Sequence, residues 1–238
     1  MPTSSPTLTD RLIISVALIL PTLITWIYFI LLKEAPAAIQ QSAYTLCKIA
    51  QFALPVVWVC LVQRERPNFN RPSAWSLFVG TLFGLAVAAA MAALYFTVLL
   101  PSGLLASPIT AVKAKVSSFG VSSPAAYLFL AIFYSALHSL LEEYYWRWFV
   151  FGQLSRVTRI PTAVALSSIG FAAHHVLVLQ LYFGWLSPLT WLFTLSIIIG
   201  GAFWAWLYRA SNSLGVSWIS HAIVDAAIFA IGYHILIT

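Results

Sequence analysis

An all-α bundle that crosses a membrane about seven times is the fold class this sequence predicts. Of its 238 residues, 61% are hydrophobic and only 8% are charged. The mean hydropathy is +0.93. Apolar runs of about 20 residues, enough to cross a hydrocarbon core about 30 Å thick as helix, recur along the chain. A soluble fold needs a charged, solvated skin, and 12 basic and 6 acidic residues cannot supply one. That excludes soluble enzymes, nucleic-acid readers and disordered regulators. The net charge of +6 is therefore read as loop topology, with no nucleic-acid partner expected.

The elements follow in chain order. A polar leader and Arg11 precede an apolar run over 12–33 that is longer than the h-region of a cleaved signal, so it is expected to stay as the first span. The second run, 43–63, holds Lys48 and both cysteines; Cys47 and Cys60 stand thirteen residues apart on one helix, beyond disulfide reach. The third is 74–100. The connection 102–123, rich in Ser and carrying Lys113 and Lys115, suits a short interfacial helix, and an eighth span or re-entrant segment would have to lie there. Four further spans occupy 124–153, 161–183, 188–208 and 213–237. Pro124, Pro161 and Pro188 open three of them, in the first turn of a helix where a missing N–H costs nothing. All are helices, because an open strand at that depth would leave backbone groups unpaired. The chain is expected to form a single transmembrane domain over 1–238, with its chemistry in 124–238.

Charged side chains in hydrocarbon cost at least about 2.5 to 3.5 kcal/mol each, so those present need a reason. Three of the six acids, Glu142, Glu143 and Asp225, and all five histidines, His138, His174, His175, His221 and His234, fall in the fourth, fifth and seventh spans. Glu143 and Arg147 stand at i,i+4 in the order that favours an ion pair, which reads as structural. Glu142 is rotated about 100° from Glu143 and shares its face with His138 at i−4; a plain hydrogen-bonded pair is the bland reading of those two. His221 and Asp225 are again i,i+4, a spacing that lets a carboxylate orient an imidazole. His234, near a helix end, is read as interfacial. From the N-terminal-side helix ends, a rise of 1.5 Å per residue puts Glu142 ~17 Å, His175 ~21 Å, His221 ~14 Å and Asp225 ~20 Å deep, levels that overlap. A carboxylate and imidazoles meeting in a low-dielectric cavity are the parts of a water-activating site, and hydrolysis of an acyl bond fits them best. Ser139 and Ser220 lack a nucleophile context, and the H-E-x-x-H zinc signature is absent. A proton-coupled transporter or a non-catalytic membrane-binding protein is the alternative, without a visible inverted repeat to favour it.

Three motifs in order, E-E-x-x-x-R at Glu142, Glu143 and Arg147, F-x-x-x-H at Phe171 and His175, and H-x-x-x-D at His221 and Asp225, resemble those of the CPBP family of intramembrane proteases. That family comprises the type II CAAX endopeptidases and their bacterial relatives, and the likeness runs from Pro124 onward. The resemblance implies a catalytic Glu142 that activates water with His175, and His221 and Asp225 facing the oxyanion. It implies Glu143 and Arg147 as a supporting pair, and selects His175 over His174 by the spacing from Phe171. Many members carry Asn where this chain has Asp225. An ionised Asp cannot donate to an oxyanion, so Asp225 is protonated, or fixes the His221 tautomer, or helps hold a metal. Glu142, His175 and His221 would make a three-ligand zinc site, but a Glu142 bound to metal is no free base, and the metal-free reading is preferred. In that reading Asp225 bonds to His221, which stands across a cleft from Glu142, too far to share an ion. The implied partners are membrane lipid and a peptide or membrane-anchored protein substrate, and the implied location is a bacterial inner membrane.

Placing successive loops on alternate sides puts Arg11, Arg64, Arg66, Arg71, Arg156, Arg159 and Arg209 on the N-terminal side against Lys33, Lys113 and Lys115 on the other, which makes the N-terminus cytoplasmic. Reporter fusions at Thr238 are expected to signal from outside the cell; a cytoplasmic signal there would overturn this topology.

Overall fold

The computed structural model describes residues 7–67, 69–118 and 123–237. The first six residues of the leader and residues 119–122 of the long connection lie outside that set. Seven helices among the described residues are long and apolar enough to cross a membrane. They are α1 (Leu8–Leu31), α2 (Ala37–Val62), α3 (Ala74–Leu99), α5 (Pro124–Val157), α6 (Ile160–Phe183), α7 (Pro188–Ser211) and α8 (Leu214–Ile237). The short α4 (Ala106–Ser118) lies in the connection expected to hold an interfacial helix, and its 13 residues are too few to span. The polytopic helical bundle predicted from the sequence is thus the architecture found.

Local sequence sets the ends. α1 opens with a capping box in which Thr7 Oγ1 accepts from the Asp10 amide at 3.2 Å and the Thr7 amide donates to Asp10 Oδ2 at 2.9 Å. Ser73 and Ser123 cap α3 and α5 in the same way, each hydroxyl accepting from a backbone N–H three residues on. Pro124 occupies the first turn of α5, as its sequence position required. α6 ends at Gly184, whose φ of +82° suits a residue without a Cβ.

The chain divides into two compact units, Met1–Phe69 with Tyr144–Trp206, and Asn70–Glu143 with Leu207–Thr238. In the first, α1 and α2 pack with residues 144–157 of α5 and with α6. Tyr145, fully buried, donates its hydroxyl to the Ala17 carbonyl of α1 at 2.8 Å. Gly170 of α6 lies under Leu18 and Trp146, where a Cβ would come within 2.9 Å and 3.0 Å of their side chains. At one end of this unit Gln63 and Gln153 exchange amide hydrogen bonds at 2.9 Å and 3.0 Å, and Arg156 holds Glu65 through two bonds at 3.0 Å and 2.9 Å.

In the second unit α8 packs against α3 and the first turns of α5. Gly80 and Gly84 let α3 approach the α8 backbone: a Cβ on Gly80 would stand 2.7 Å from the Val216 carbonyl oxygen, and one on Gly84 2.9 Å from that of Ser220. α8 is pinned to α5 by Trp218 Nε1, which donates to the Ala136 carbonyl at 2.9 Å, and by the Tyr127 hydroxyl, which donates to the Phe229 carbonyl at 2.8 Å. Ala136 lies in one of two π-helical stretches of α5, Phe133–His138 and Tyr144–Phe151. His234 shares a hydrogen bond of 2.9 Å with the Tyr95 hydroxyl on α3, a structural tie.

Because the obstacle at Gly84 is backbone, a larger residue there must push α3 and α8 away from each other. Gly84→Val is expected to lower stability by about 1–3 kcal/mol, read as a fall in the thermal midpoint in detergent. Gly200→Ala, whose Cβ would meet only the Trp204 ring at 3.8 Å, is expected to leave that midpoint unchanged or raise it.

Candidate active site

Between its two π-helical stretches α5 returns to an α-helical turn, Ser139–Glu143, that ends in the two adjacent carboxylates. Such interruptions of regular hydrogen bonding occur often at functional sites. Both carboxylates are buried, Glu143 completely. Neighbours on an α-helix diverge by about 100°, and the side chain that fills the gap is His221, buried on α8. His221 Nδ1 lies 2.9 Å from Glu143 Oε1, a hydrogen bond, while Nε2 lies 3.8 Å from Glu142 Oε2 and 3.6 Å from Asp225 Oδ1. The two carboxylates of α5 therefore address opposite nitrogens of one imidazole. The last two separations are charge contacts longer than hydrogen bonds. His138, one turn before Glu142 on α5, brings Nδ1 to 3.9 Å from Glu142 Oε2, so the plain hydrogen-bonded pair offered by the i−4 spacing is not formed at that distance.

Two details of the sequence reading are corrected here. Asp225 was expected to bond to His221, but the ring's close partner is Glu143. The i,i+4 spacing does place Asp225 on the His221 face, yet it brings the carboxylate only to 3.6 Å from Nε2. His221 was also expected across a cleft from Glu142, beyond the reach of a shared ion. The structure puts their nearest atoms 3.8 Å apart, because the α3 glycines let α8 lie close within its unit.

The first unit carries the other motif residues. On α6, His175 Nδ1 lies 2.8 Å from the Phe171 carbonyl oxygen one turn earlier. A carbonyl only accepts, so Nδ1 holds the hydrogen and Nε2 keeps its lone pair. The F-x-x-x-H spacing thus has a physical reason, since it sets the tautomer and, with the Phe171 ring 4.7 Å from that of His175, the ring's orientation. Arg147, buried on α5, holds its guanidinium carbon 4.7 Å from the Phe171 ring centroid and 5.2 Å from that of Trp204. His174 is buried with its ring stacked parallel to Trp146 at 5.9 Å, whereas His175 is half-buried. Trp146 and Trp204 were not among the sequence candidates, since an aromatic residue in an apolar helix gives no signal of what it faces.

His174 and His175 of α6 are imidazoles of the kind that hold zinc, and a metal-binding histidine typically donates its second nitrogen's hydrogen to a carbonyl, as His175 Nδ1 does. A zinc ion bound at such a site would supply Lewis acidity toward a bound water.

A helical membrane protein that buries adjacent carboxylates on an imidazole inside apolar helices carries its ionisable groups where they are costly. Residues 124–227 match the family model described as type II CAAX prenyl endopeptidase Rce1-like. Every motif residue from Glu142 to Asp225 falls inside the match. No curated protein and no solved structure matches the chain.

The unequal distances around His221 lead to unequal consequences. Glu143→Leu removes the carboxylate hydrogen-bonded to His221 Nδ1 and is expected to destabilise by about 3 kcal/mol or more. Asp225→Leu is expected to cost clearly less. Thermal unfolding of both variants in detergent checks the order.

Proposed function

We propose that this protein is an intramembrane endopeptidase that hydrolyses a peptide bond of a membrane-associated or lipid-anchored substrate with a glutamate-activated water. The observation that carries the reading is the seating of His221 on Glu143 with Glu142 beside its other nitrogen, inside the region matched by the protease family.

In this reading Glu142 takes a proton from water as the water attacks the scissile carbonyl, and His175, its Nδ1 bonded to the Phe171 carbonyl, is the imidazole that assists. His221 faces the developing oxyanion. With its Nδ1 hydrogen given to Glu143, it serves there as an imidazolium whose Nε2–H donates. Glu142 then returns its proton to the leaving amine, which restores the site and releases a new carboxylate and a new amine. Asp225 is a positioning residue beside Nε2, and Glu143 keeps the His221 ring in place. The low-dielectric surroundings strengthen each of these contacts over its value in water.

Glu142→Gln keeps the shape but cannot act as a base. It is expected to lower peptide hydrolysis by about 10²–10⁴-fold while the thermal midpoint stays near that of the native protein. A chelator is expected to leave the native activity unchanged. Activity lost to the chelator and restored by zinc, with stoichiometric zinc in protein purified without added metal, would replace this mechanism by the zinc-dependent one.

A further inference from the structure

Outside the buried cluster, charge is concentrated at one end of the first unit. Three stretches lie there: the start of α1, the end of α2 with the residues that follow it, and the junction of α5 and α6. The Gln63 and Gln153 amide pair and the two bonds from Arg156 to Glu65 join the last two, and Asp10 of α1 lies within electrostatic reach of Arg156. Five arginines stand at this end, Arg11, Arg64, Arg66, Arg156 and Arg159, with only Asp10 and Glu65 against them. Both acids are engaged. Asp10 accepts from the amide and the hydroxyl of Thr7 at 2.9 Å and 2.7 Å, and Glu65 holds Arg156. The chain has six acids in all, and the other four are elsewhere: Glu34 beside Lys33 at the far end of α1, and Glu142, Glu143 and Asp225 in the second unit. No ion pair among the described residues uses Arg11, Arg64, Arg66 or Arg159, and all four are exposed.

The chain after α2 is built to hold two of these arginines at the helix end. Arg64 has a φ of +56°, a left-handed conformation that strains a residue with a Cβ and that helix ends usually give to glycine or asparagine. The turn lets the Glu65 amide donate back to the Val59 carbonyl at 2.9 Å, and the Glu65 carboxylate reaches Arg156. Further on, Phe69 rests on Trp148 of α5 with ring centroids 5.5 Å apart, yet stays 55% exposed. This connection is therefore tied twice, by an ion pair and by an aromatic contact, and it presents arginine beside an open apolar ring. Arg11 stands three residues inside α1, Arg64 two residues beyond Val62, and Arg159 directly before Ile160. Each lies within about one helical turn, about 5 Å, of a span's end, the level where hydrocarbon gives way to lipid headgroups.

We infer that this end of the first unit binds the phosphate of an anionic phospholipid through Arg11, Arg64, Arg66 and Arg159. The residue type fits the ligand. Every basic residue at this end is an arginine, whose planar fork meets two phosphate oxygens at once, whereas Lys33 stands at the other end of α1 beside Glu34. A headgroup with net negative charge balances the surplus that the two engaged acids leave. The exposed Phe69 ring selects the source, because a lipid offers phosphate and hydrocarbon side by side, and a free phosphate or an acidic peptide offers only the charge. A lipid held there bridges α1, α2 and the junction of α5 and α6, so its binding stabilises the folded unit by mass action. The inference does not depend on the endopeptidase reading, since this lipid is bound and not cleaved.

Native mass spectrometry of the full-length protein, released from detergent micelles doped with equal amounts of phosphatidylglycerol and phosphatidylcholine, reads the preference. The native protein is expected to retain about tenfold more phosphatidylglycerol than phosphatidylcholine. The triple variant Arg64→Gln, Arg66→Gln, Arg159→Gln should bring that ratio to about one, and Arg64→Lys, Arg66→Lys, Arg159→Lys should keep only part of it. Arg71→Gln with Arg209→Gln, which removes charge from the second unit, should leave the native ratio. Equal retention of the two lipids by native protein would overturn the inference, and so would a native ratio in the triple glutamine variant. An equal fall in the Arg71 and Arg209 variant would also overturn it, by making total charge and not this site the cause. If the triple variant does not fold, thermal midpoints decide: the native midpoint must rise with phosphatidylglycerol and not with phosphatidylcholine, and Arg64→Gln and Arg159→Gln must each weaken that rise. No rise, or a rise that both single variants keep, would overturn the site. Displacement of the lipid by millimolar inorganic phosphate would assign the arginines to a free phosphate and contradict the lipid.

Discussion

One hydrogen bond between α5 and α8 organises the buried polar cluster of the second unit, the 2.9 Å contact from His221 Nδ1 to Glu143 Oε1. Both groups are buried, so neither can exchange its partner for water without moving a helix. With Nδ1 committed, the only ring nitrogen left to face other groups is Nε2, and the fixed plane of the imidazole aims it at Glu142 and Asp225. An adjacent pair of glutamates is therefore not redundant. In the proposed mechanism one orients the imidazole and the other acts as the base, and the 100° between neighbours on a helix separates the two roles.

That hydrogen bond depends in turn on backbone spacing. His221 follows Ser220, whose carbonyl lies against Gly84, and Gly80 stands against Val216 one turn earlier. A Gly-x-x-x-Gly ridge on α3 thus sets how near α8 lies within its unit. The π-helical turns of α5 act at the same level: they bracket the α-helical turn that carries the glutamates, and the Ala136 carbonyl of the first of them accepts from Trp218 of α8. Residues far from the reaction in sequence, and outside the matched protease region in the case of the glycines, decide where the reacting groups stand.

Much of this was legible in the sequence. Seven apolar runs gave seven helices, and Pro124 marked a start that the structure places in the first turn of α5. The carboxylates and imidazoles stood out because an apolar chain sheds charges it does not use. Pairing was less legible. Spacing along one helix reports what shares a face, so it could pair His221 with Asp225, but it is silent about the neighbouring helix that supplies Glu143 to the same ring. Helical arithmetic at 3.6 residues per turn also cannot foresee a π-helical stretch, which changes the faces beyond it. The Gly80 and Gly84 spacing was present in the sequence as a signal of close helix approach, but it does not say against which helix. His175 is the contrary case: its partner, the Phe171 carbonyl, lies one turn away on the same helix, so the motif spacing contained the contact.

Glu143 holds the His221 ring by its Nδ1 hydrogen, and nitrogen-15 NMR of histidine-labelled protein in detergent reads that proton. A His221 resonance is expected with a slowly exchanging proton bound to Nδ1, shifted downfield by its carboxylate partner, which disappears in Glu143→Gln and persists in Asp225→Asn. A His221 proton on Nε2 alone, or an Nδ1 proton insensitive to Glu143 and lost with Asp225, would contradict it.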